Sequence, residues 1–189
     1  MPSADPINFL EERERRIVRS HQADGYVELA PLLEELGVKV EERDLPGAIS
    51  GFATYQEGSS PSGFVVVVNR RHHIVRRRFT AAHELGHCML HGDEIRRLGS
   101  SRHIRRAQHY CPLLREWFDD FNSDEGLVRE READSFAAAL LVPEASFISI
   151  RRSDEGRFAE LAQRFGVSLG TVVKRAKELG KGRRVNRVA

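Results

Sequence analysis

The residues with the clearest chemical potential form the pentapeptide His83-Glu84-Leu85-Gly86-His87, an HExxH motif. On a helix, positions i and i+4 lie on one face, so the two imidazoles converge on a single point. Neutral imidazole nitrogen is a preferred zinc ligand, and Glu84 lies close enough to take a proton from a water molecule held there. The uncharged flanks of the motif favour a buried site. The spacing therefore predicts a hydrolytic zinc centre with His83 and His87 as ligands and Glu84 as general base.

A catalytic zinc centre needs a third protein ligand, and the acidic run at 130–134 offers candidates. Glu130 and Asp134 are spaced i, i+4 at the start of an alanine-rich helical segment. One of them can bind the metal while the other accepts the second N–H of a ligand histidine. Acidic residues are favoured in the first turn of any helix, so this run alone does not indicate a metal ligand. Its combination with the HExxH motif favours the metal interpretation. His91 repeats the i+4 spacing after His87, and we expect it to pack or to contact a ligand.

Two blocks of sequence carry these residues: 78–91 (RFTAAHELGHCMLH) and 130–143 (EREADSFAAALLVP). Together they resemble the ImmA/IrrE family of zinc metallopeptidases, and the resemblance extends from about residue 51 to residue 180. It implies a gluzincin-like site with one catalytic Zn²⁺. In such a site the metal ligands are His83, His87 and Glu130, with Glu132 as the fallback third ligand, Glu84 as general base and Asp134 supporting a ligand histidine.

The same resemblance implies a cytoplasmic endopeptidase that cleaves a helix-turn-helix transcriptional repressor and thereby derepresses stress-response or mobile-element genes. One departure from the family is the long stretch between His87 and Glu130. It contains further residues that could compete for zinc, namely His103, His109, Cys111 and Asp119. An oxyanion stabiliser is also expected, and its candidates, for which no positional argument exists, are Tyr110, His109 and Arg78.

The order of the predicted helices and strands indicates an α+β fold, in which a small antiparallel sheet packs with helices around a zincin-type active-site helix. We expect a metallopeptidase core at 1–150. Its parts are N-terminal helices at 6–37, the sheet at 38–69, the active-site helix at 80–91 with Thr80 as its cap, and the third-ligand helix at 130–142. The apolar strand Phe64–Val68 lies either inside the core or beside the cleft, where it would pair with an extended substrate.

Residues 151–189 are predicted to form a separate, helix-turn-helix-like segment with a basic tail. Two helices within 158–180 are joined by a turn at Gly166, with Leu161 and Ala162 facing inward. One interpretation is DNA contact through the second helix. The other, which we favour, is an integral support of the peptidase or a surface that docks the repressor. The basic residues on that helix are Lys174, Arg175 and Lys177.

The net charge of +2 conceals an uneven distribution, because residues 1–150 carry 19 basic against 24 acidic side chains and residues 151–189 carry 11 against 4. Two cysteines are too few for a disulfide framework, and no apolar run suits a membrane span or a signal peptide. We therefore expect a cytoplasmic protein with no membrane partner. Two alternatives to a peptidase stay open: a DNA-binding regulator with a structural zinc, and an antitoxin-like module without turnover.

Overall fold

The computed structural model describes residues 5–22, 25–98, 100–103, 124–147 and 158–182, and the elements in these ranges confirm the α+β class. A short 3-10 helix, Pro6–Phe9, comes first. The helices are α1 (Glu12–His21), α2 (Leu29–Glu35), α3 (Ile74–Leu90), α4 (Gly92–Leu98), α5 (Asp124–Leu141), α6 (Phe158–Phe165) and α7 (Leu169–Gly182). The strands are β1 (Lys39–Arg43), β2 (Gly51–Tyr55), β3 (Phe64–Asn69) and β4 (Ser100–His103).

The sheet has the order β1-β3-β2-β4 and is mixed. Strand β2 runs antiparallel to β3, as expected, and also to β4, whereas β1 runs parallel to β3. The difference arises because β3 is inserted between β1 and β2, the two strands that precede it in the chain. Strand β4 comes from the stretch 92–128, where the sequence predicts no strand.

Strand β3 lies in the middle of the sheet, and each of its residues is buried. A run of apolar residues without alternation is typical of a strand covered on both faces. Because β1 and β2 occupy its two edges, an extended substrate cannot add to it. The hypothesis that Phe64–Val68 pairs with substrate is therefore wrong, and the core interpretation is correct.

Helix α3 begins earlier than the predicted start at Thr80. Its N-cap is His73, whose Nδ1 accepts a hydrogen bond from the backbone N–H of Val75 at 3.3 Å. Thr80 is buried inside the helix instead. The charged residues before Thr80 are compatible with this helix because they find partners outside the core, as Arg77 does with Glu42 at 2.8 Å. Helix α5 likewise begins at Asp124, before the predicted 130.

Helix α3 packs on the sheet with one side and on α5 with another, and a single hydrophobic cluster extends from the N-terminal elements to α6 and α7. The expected boundary between 150 and 151 falls in 148–157, outside the described residues, so the division into 1–150 and 151–189 stays a prediction. None of the helices in the described parts of the chain has both the length and the apolar composition that a membrane span requires.

Candidate metal centre

The close approach of α3 and α5 brings the two motif blocks together. Gly86, the second variable position of the HExxH motif, faces α5, where an added Cβ would lie 3.0 Å from Phe136 Cδ1 and 3.2 Å from Ala133 Cα. The missing side chain and the small alanine let the two backbones meet. Glu130, Ala133 and Asp134 share one face of α5, since they are three and four residues apart. That face is therefore directed at the histidine stripe of α3.

Three side chains meet between the helices in a cluster that could hold a metal ion: His83, His87 and Glu130. The two Nε2 atoms are 3.1 Å apart. Glu130 Oε2 lies 3.4 Å from His83 Nε2, and Glu130 Oε1 lies 3.2 Å from His87 Nε2. Both histidines are almost completely buried, so the ring atoms are held in place by the surrounding helices.

These separations suit a metal. Ligand atoms about 2.0–2.1 Å from a tetrahedral centre lie ~3.3 Å from one another, close to the three distances observed. Two imidazole nitrogens and one carboxylate are also the ligand set of a catalytic zinc centre of the thermolysin type. The donor set thus fits Zn²⁺, and the ligands that the resemblance implied, His83, His87 and Glu130, are the residues that the fold brings together.

Asp134 contacts the far side of His83, as expected. The distance from Asp134 Oδ1 to His83 Nδ1 is 2.9 Å. Burial by itself would lower the pKa of His83, but hydrogen bonds to Asp134 and Glu130 and the charge of Glu84 raise the pKa to about 9. The surroundings of His83 therefore favour a positive charge at this position, which is the condition for binding a cation.

Glu132, the fallback ligand, lies outside the cluster and contacts His91 instead. Glu132 Oε2 is 2.9 Å from His91 Nε2, and His91 Nδ1 is 3.2 Å from His87 Nδ1. His91 thus contacts a ligand histidine without joining the cluster. Sequence reasoning missed the contact with Glu132, because 41 residues separate the two side chains and no local spacing signals it.

Glu84 is only 1% exposed and lies on α3 next to His83. Its charge contributes to the raised pKa of His83, so the carboxylate acts on the same site as the ligands. A buried carboxylate is costly unless neighbouring groups stabilise it. A structural metal site would not require an acid at this position, whereas a general base would.

The other residues that the sequence offered for the site are not members of the cluster among the described residues, or fall outside the described ranges. Arg78 donates to the carbonyl oxygen of Val27 at 2.7 Å, and its guanidinium lies 4.1 Å from the centre of the Tyr26 ring, so it supports the fold. Cys88 is buried, and burial raises the pKa of its thiol, as suits an unreactive residue. Outside the described residues lie His109, Tyr110, Cys111 and Asp119; the side chain of His103, at the end of β4, is likewise not described.

Of the three basic residues named from the sequence on the second helix of the C-terminal pair, α7, two have partners in α5 or in the residue that follows it. Arg175 is buried and donates through Nε to the carbonyl oxygen of Val142 at 3.2 Å. Lys174 Nζ lies 3.3 Å from Asp134 Oδ2, on the carboxylate that contacts His83. Lys177 alone of the three is exposed. The expected helix pair and the inward positions of Leu161 and Ala162 are confirmed. Among the described residues of the basic face proposed for DNA contact, Lys174 and Arg175 have partners within the protein.

Comparisons with known proteins agree with this geometry. The model of the Peptidase_M78 family, described as the IrrE N-terminal-like domain, matches residues 33–177. A solved structure, a Mycobacterium tuberculosis transcriptional regulator, is similar to the chain with a TM-score of 0.57 and 24% identity over 97% of this chain and 52% of that one. The chain thus spans about half the length of that structure, and the similarity concerns the fold. No curated protein gives a significant match.

Proposed function

The chain belongs to the Peptidase_M78 family of IrrE N-terminal-like domains, and on that premise we propose that it is a zinc-dependent endopeptidase acting on a protein substrate. The family match confirms the resemblance carried by the two motif blocks. The observation that carries the proposal is the convergence of His83, His87 and Glu130 beside the buried carboxylate of Glu84.

Each residue of the centre has a distinct role in this proposal. Zinc, when bound by His83, His87 and Glu130, would polarise a peptide carbonyl and acidify a water molecule. Glu84 would accept the proton of the attacking water as a general base and then, as a general acid, donate it to the leaving amine nitrogen. Asp134 accepts the Nδ1–H of His83 and holds the ring with its Nε2 lone pair directed into the cluster.

We propose a helix-turn-helix transcriptional repressor as the substrate and the cytoplasm as the compartment. Support for the substrate comes from the family resemblance, and a solved protein of similar fold is itself named a transcriptional regulator. Cleavage would remove the repressor and derepress stress-response or mobile-element genes. The alternative, a DNA-binding regulator with a structural zinc, is less well supported, because Lys174 and Arg175 bind within the protein.

The test compares the wild type with Glu84→Gln in metal content and in cleavage of a helix-turn-helix repressor encoded beside the gene. Wild type is expected to hold one zinc ion and to cleave the repressor. Glu84→Gln should retain zinc and lose cleavage by roughly 10²–10⁴-fold, because the amide keeps the size of the side chain but cannot accept the proton.

Glu34→Gln is the matched control, since Glu34 is exposed on α2, away from the cluster, and this variant should cleave normally. Cleavage by Glu84→Gln at the wild-type rate would disprove the general-base role. Zinc-loaded wild type that leaves every neighbouring repressor intact but gives a salt-resistant DNA footprint would replace the peptidase by the regulator.

A further inference from the structure

We propose that His91 and Glu132 are positioning residues that set the tautomer and the ring orientation of His87, as Asp134 does for His83. The inference rests on the proposed metal centre and extends it to two residues that touch neither metal nor substrate. The geometry that carries it is a continuous line of short contacts from His87 Nδ1 through the His91 ring to the Glu132 carboxylate, with lengths of 3.2 Å and 2.9 Å.

The positions of the protons along this line follow from what each group can do. An ionised carboxylate only accepts, so the contact between Glu132 Oε2 and His91 Nε2 requires the proton on Nε2. When Nε2 of His87 binds the metal, the single ring proton of His87 lies on Nδ1, the nitrogen directed at His91 Nδ1. The contact of 3.2 Å needs one proton between two nitrogens, and it must be the Nδ1 proton of His87.

The consequence appears on the other nitrogen of His87. With its proton on Nδ1, the ring directs the Nε2 lone pair toward the Nε2 of His83 and the carboxylate of Glu130. His83 is set in the same sense, because its Nδ1–H donates to Asp134. In the metal-bound state, Nε2 of His83, Nε2 of His87 and the carboxylate of Glu130, which lie 3.1–3.4 Å from one another, would all act as acceptors toward the same cation.

The chain of contacts from His87 through His91 to Glu132 also differs from ordinary packing, because the exposed fraction of the side chains increases from one residue to the next. The side chain of His87 is 3% exposed, that of His91 12% and that of Glu132 54%. A buried ligand is thus connected through an intermediate ring to an acid at the surface, and the two histidine rings are tilted by 46° instead of stacking. A side chain that merely filled space at 91 would need no nitrogen directed at His87.

The first test separates positioning from packing by comparing His91→Gln with His91→Phe. Glutamine offers a carbonyl oxygen that can accept the Nδ1–H of His87, whereas phenylalanine keeps the ring but has no acceptor. We expect zinc affinity, measured by competition with a chromophoric chelator, to fall roughly 10–100-fold in His91→Phe and to be largely restored in His91→Gln. The reverse order, with His91→Phe binding zinc like the wild type, would assign His91 a packing role and overturn the proposal.

Glu132→Ala provides a second variant at an exposed position, where loss of folding is not expected, and thermal unfolding with a chelator present checks each variant. Zinc affinity should fall several-fold in Glu132→Ala and stay unchanged in Arg131→Ala, an exposed neighbour on α5. Equal zinc affinity in the two variants would show that Glu132 does not help to position His87.

A spectroscopic measurement on the wild type is independent of all variants. Long-range ¹H–¹⁵N NMR of the zinc-loaded protein should show His91 as the neutral tautomer protonated on Nε2, and a proton on His91 Nδ1 would contradict the proposal. Because no readout depends on cleavage, failure of the peptidase assay and failure of this inference are distinguishable.

Discussion

The metal centre between α3 and α5 and the helix pair α6–α7 both bury charged side chains, but they satisfy them in opposite ways. In the centre, His83, His87 and Glu130 direct their ligand atoms at one another and at a common point. In the helix pair, the buried guanidinium of Arg175 donates to the main-chain carbonyl of Val142, which directly follows α5, and lies 3.7 Å from Glu178 Oε2 and 4.0 Å from Asp5 Oδ2. Converging acceptors indicate a site for a cation from outside the chain, whereas Arg175 is a cation of the chain itself that already has a carbonyl and two carboxylates around it and so connects parts of the fold.

The same comparison explains why the charge pattern of the sequence is misleading. The basic excess beyond residue 150 suggests a nucleic-acid surface, yet Lys174 pairs with Asp134 of α5 and Arg175 donates to Val142, the residue after α5. In the basic run at 70–78, Arg70 and Arg71 both pair with Asp44. A count of charges does not distinguish basic side chains that pair within the protein from those that face solvent, because it contains no information about which side chains meet.

The largest expected effect belongs to the metal centre. Glu130→Ala removes the only carboxylate of the His-His-Glu cluster, and zinc affinity, measured by chelator competition, should fall more than about 100-fold, since two ligands remain. Glu132→Ala should cost much less. If Glu132→Ala lost zinc and Glu130→Ala kept it, the ligand would be shifted by two residues and the geometry of the cluster would be misassigned.

The next effect concerns the helix pair. Arg175→Leu removes the buried guanidinium and leaves the carbonyl of Val142 without that donor, which should lower the free energy of unfolding by about 1–3 kcal/mol. Chemical denaturation measures this change, and Lys177→Leu on the exposed side of α7 is the control. An unchanged unfolding free energy in Arg175→Leu, combined with weakened DNA binding, would make Arg175 a nucleic-acid contact and break the comparison.

The smallest effect joins the two regions. Lys174→Gln removes the cation that lies 3.3 Å from Asp134, the outer partner of His83. Because this ion pair is partly exposed, zinc affinity should fall by only about 2–5-fold, and Lys174→Arg should restore it. Lys177→Gln should leave the affinity unchanged. Equal affinities in Lys174→Gln and Lys177→Gln would mean that α7 supports the fold without influencing the metal centre.

Local spacing was sufficient for the residues that share a helix. The i, i+4 pairs His83 with His87 and Glu130 with Asp134 each lie on one face because the helical period requires it. The end of the N-terminal helices at residue 37 also depends on one local residue, since Gly37 adopts a φ of +72° directly after α2. The choice of Glu130 over Asp134 as the ligand was not local, and it came from the family resemblance.

By itself the sequence determined the α+β class, the HExxH face of α3 and the acidic face of α5, because those features depend on periodicity within one element. Only the tertiary structure decided that β3 lies at the centre of the sheet, that Glu132 contacts His91 and that Arg175 binds Val142. The two side-chain contacts join residues that are 41 and 33 positions apart, and the place of β3 depends on which strands become neighbours, so packing between elements selects all three.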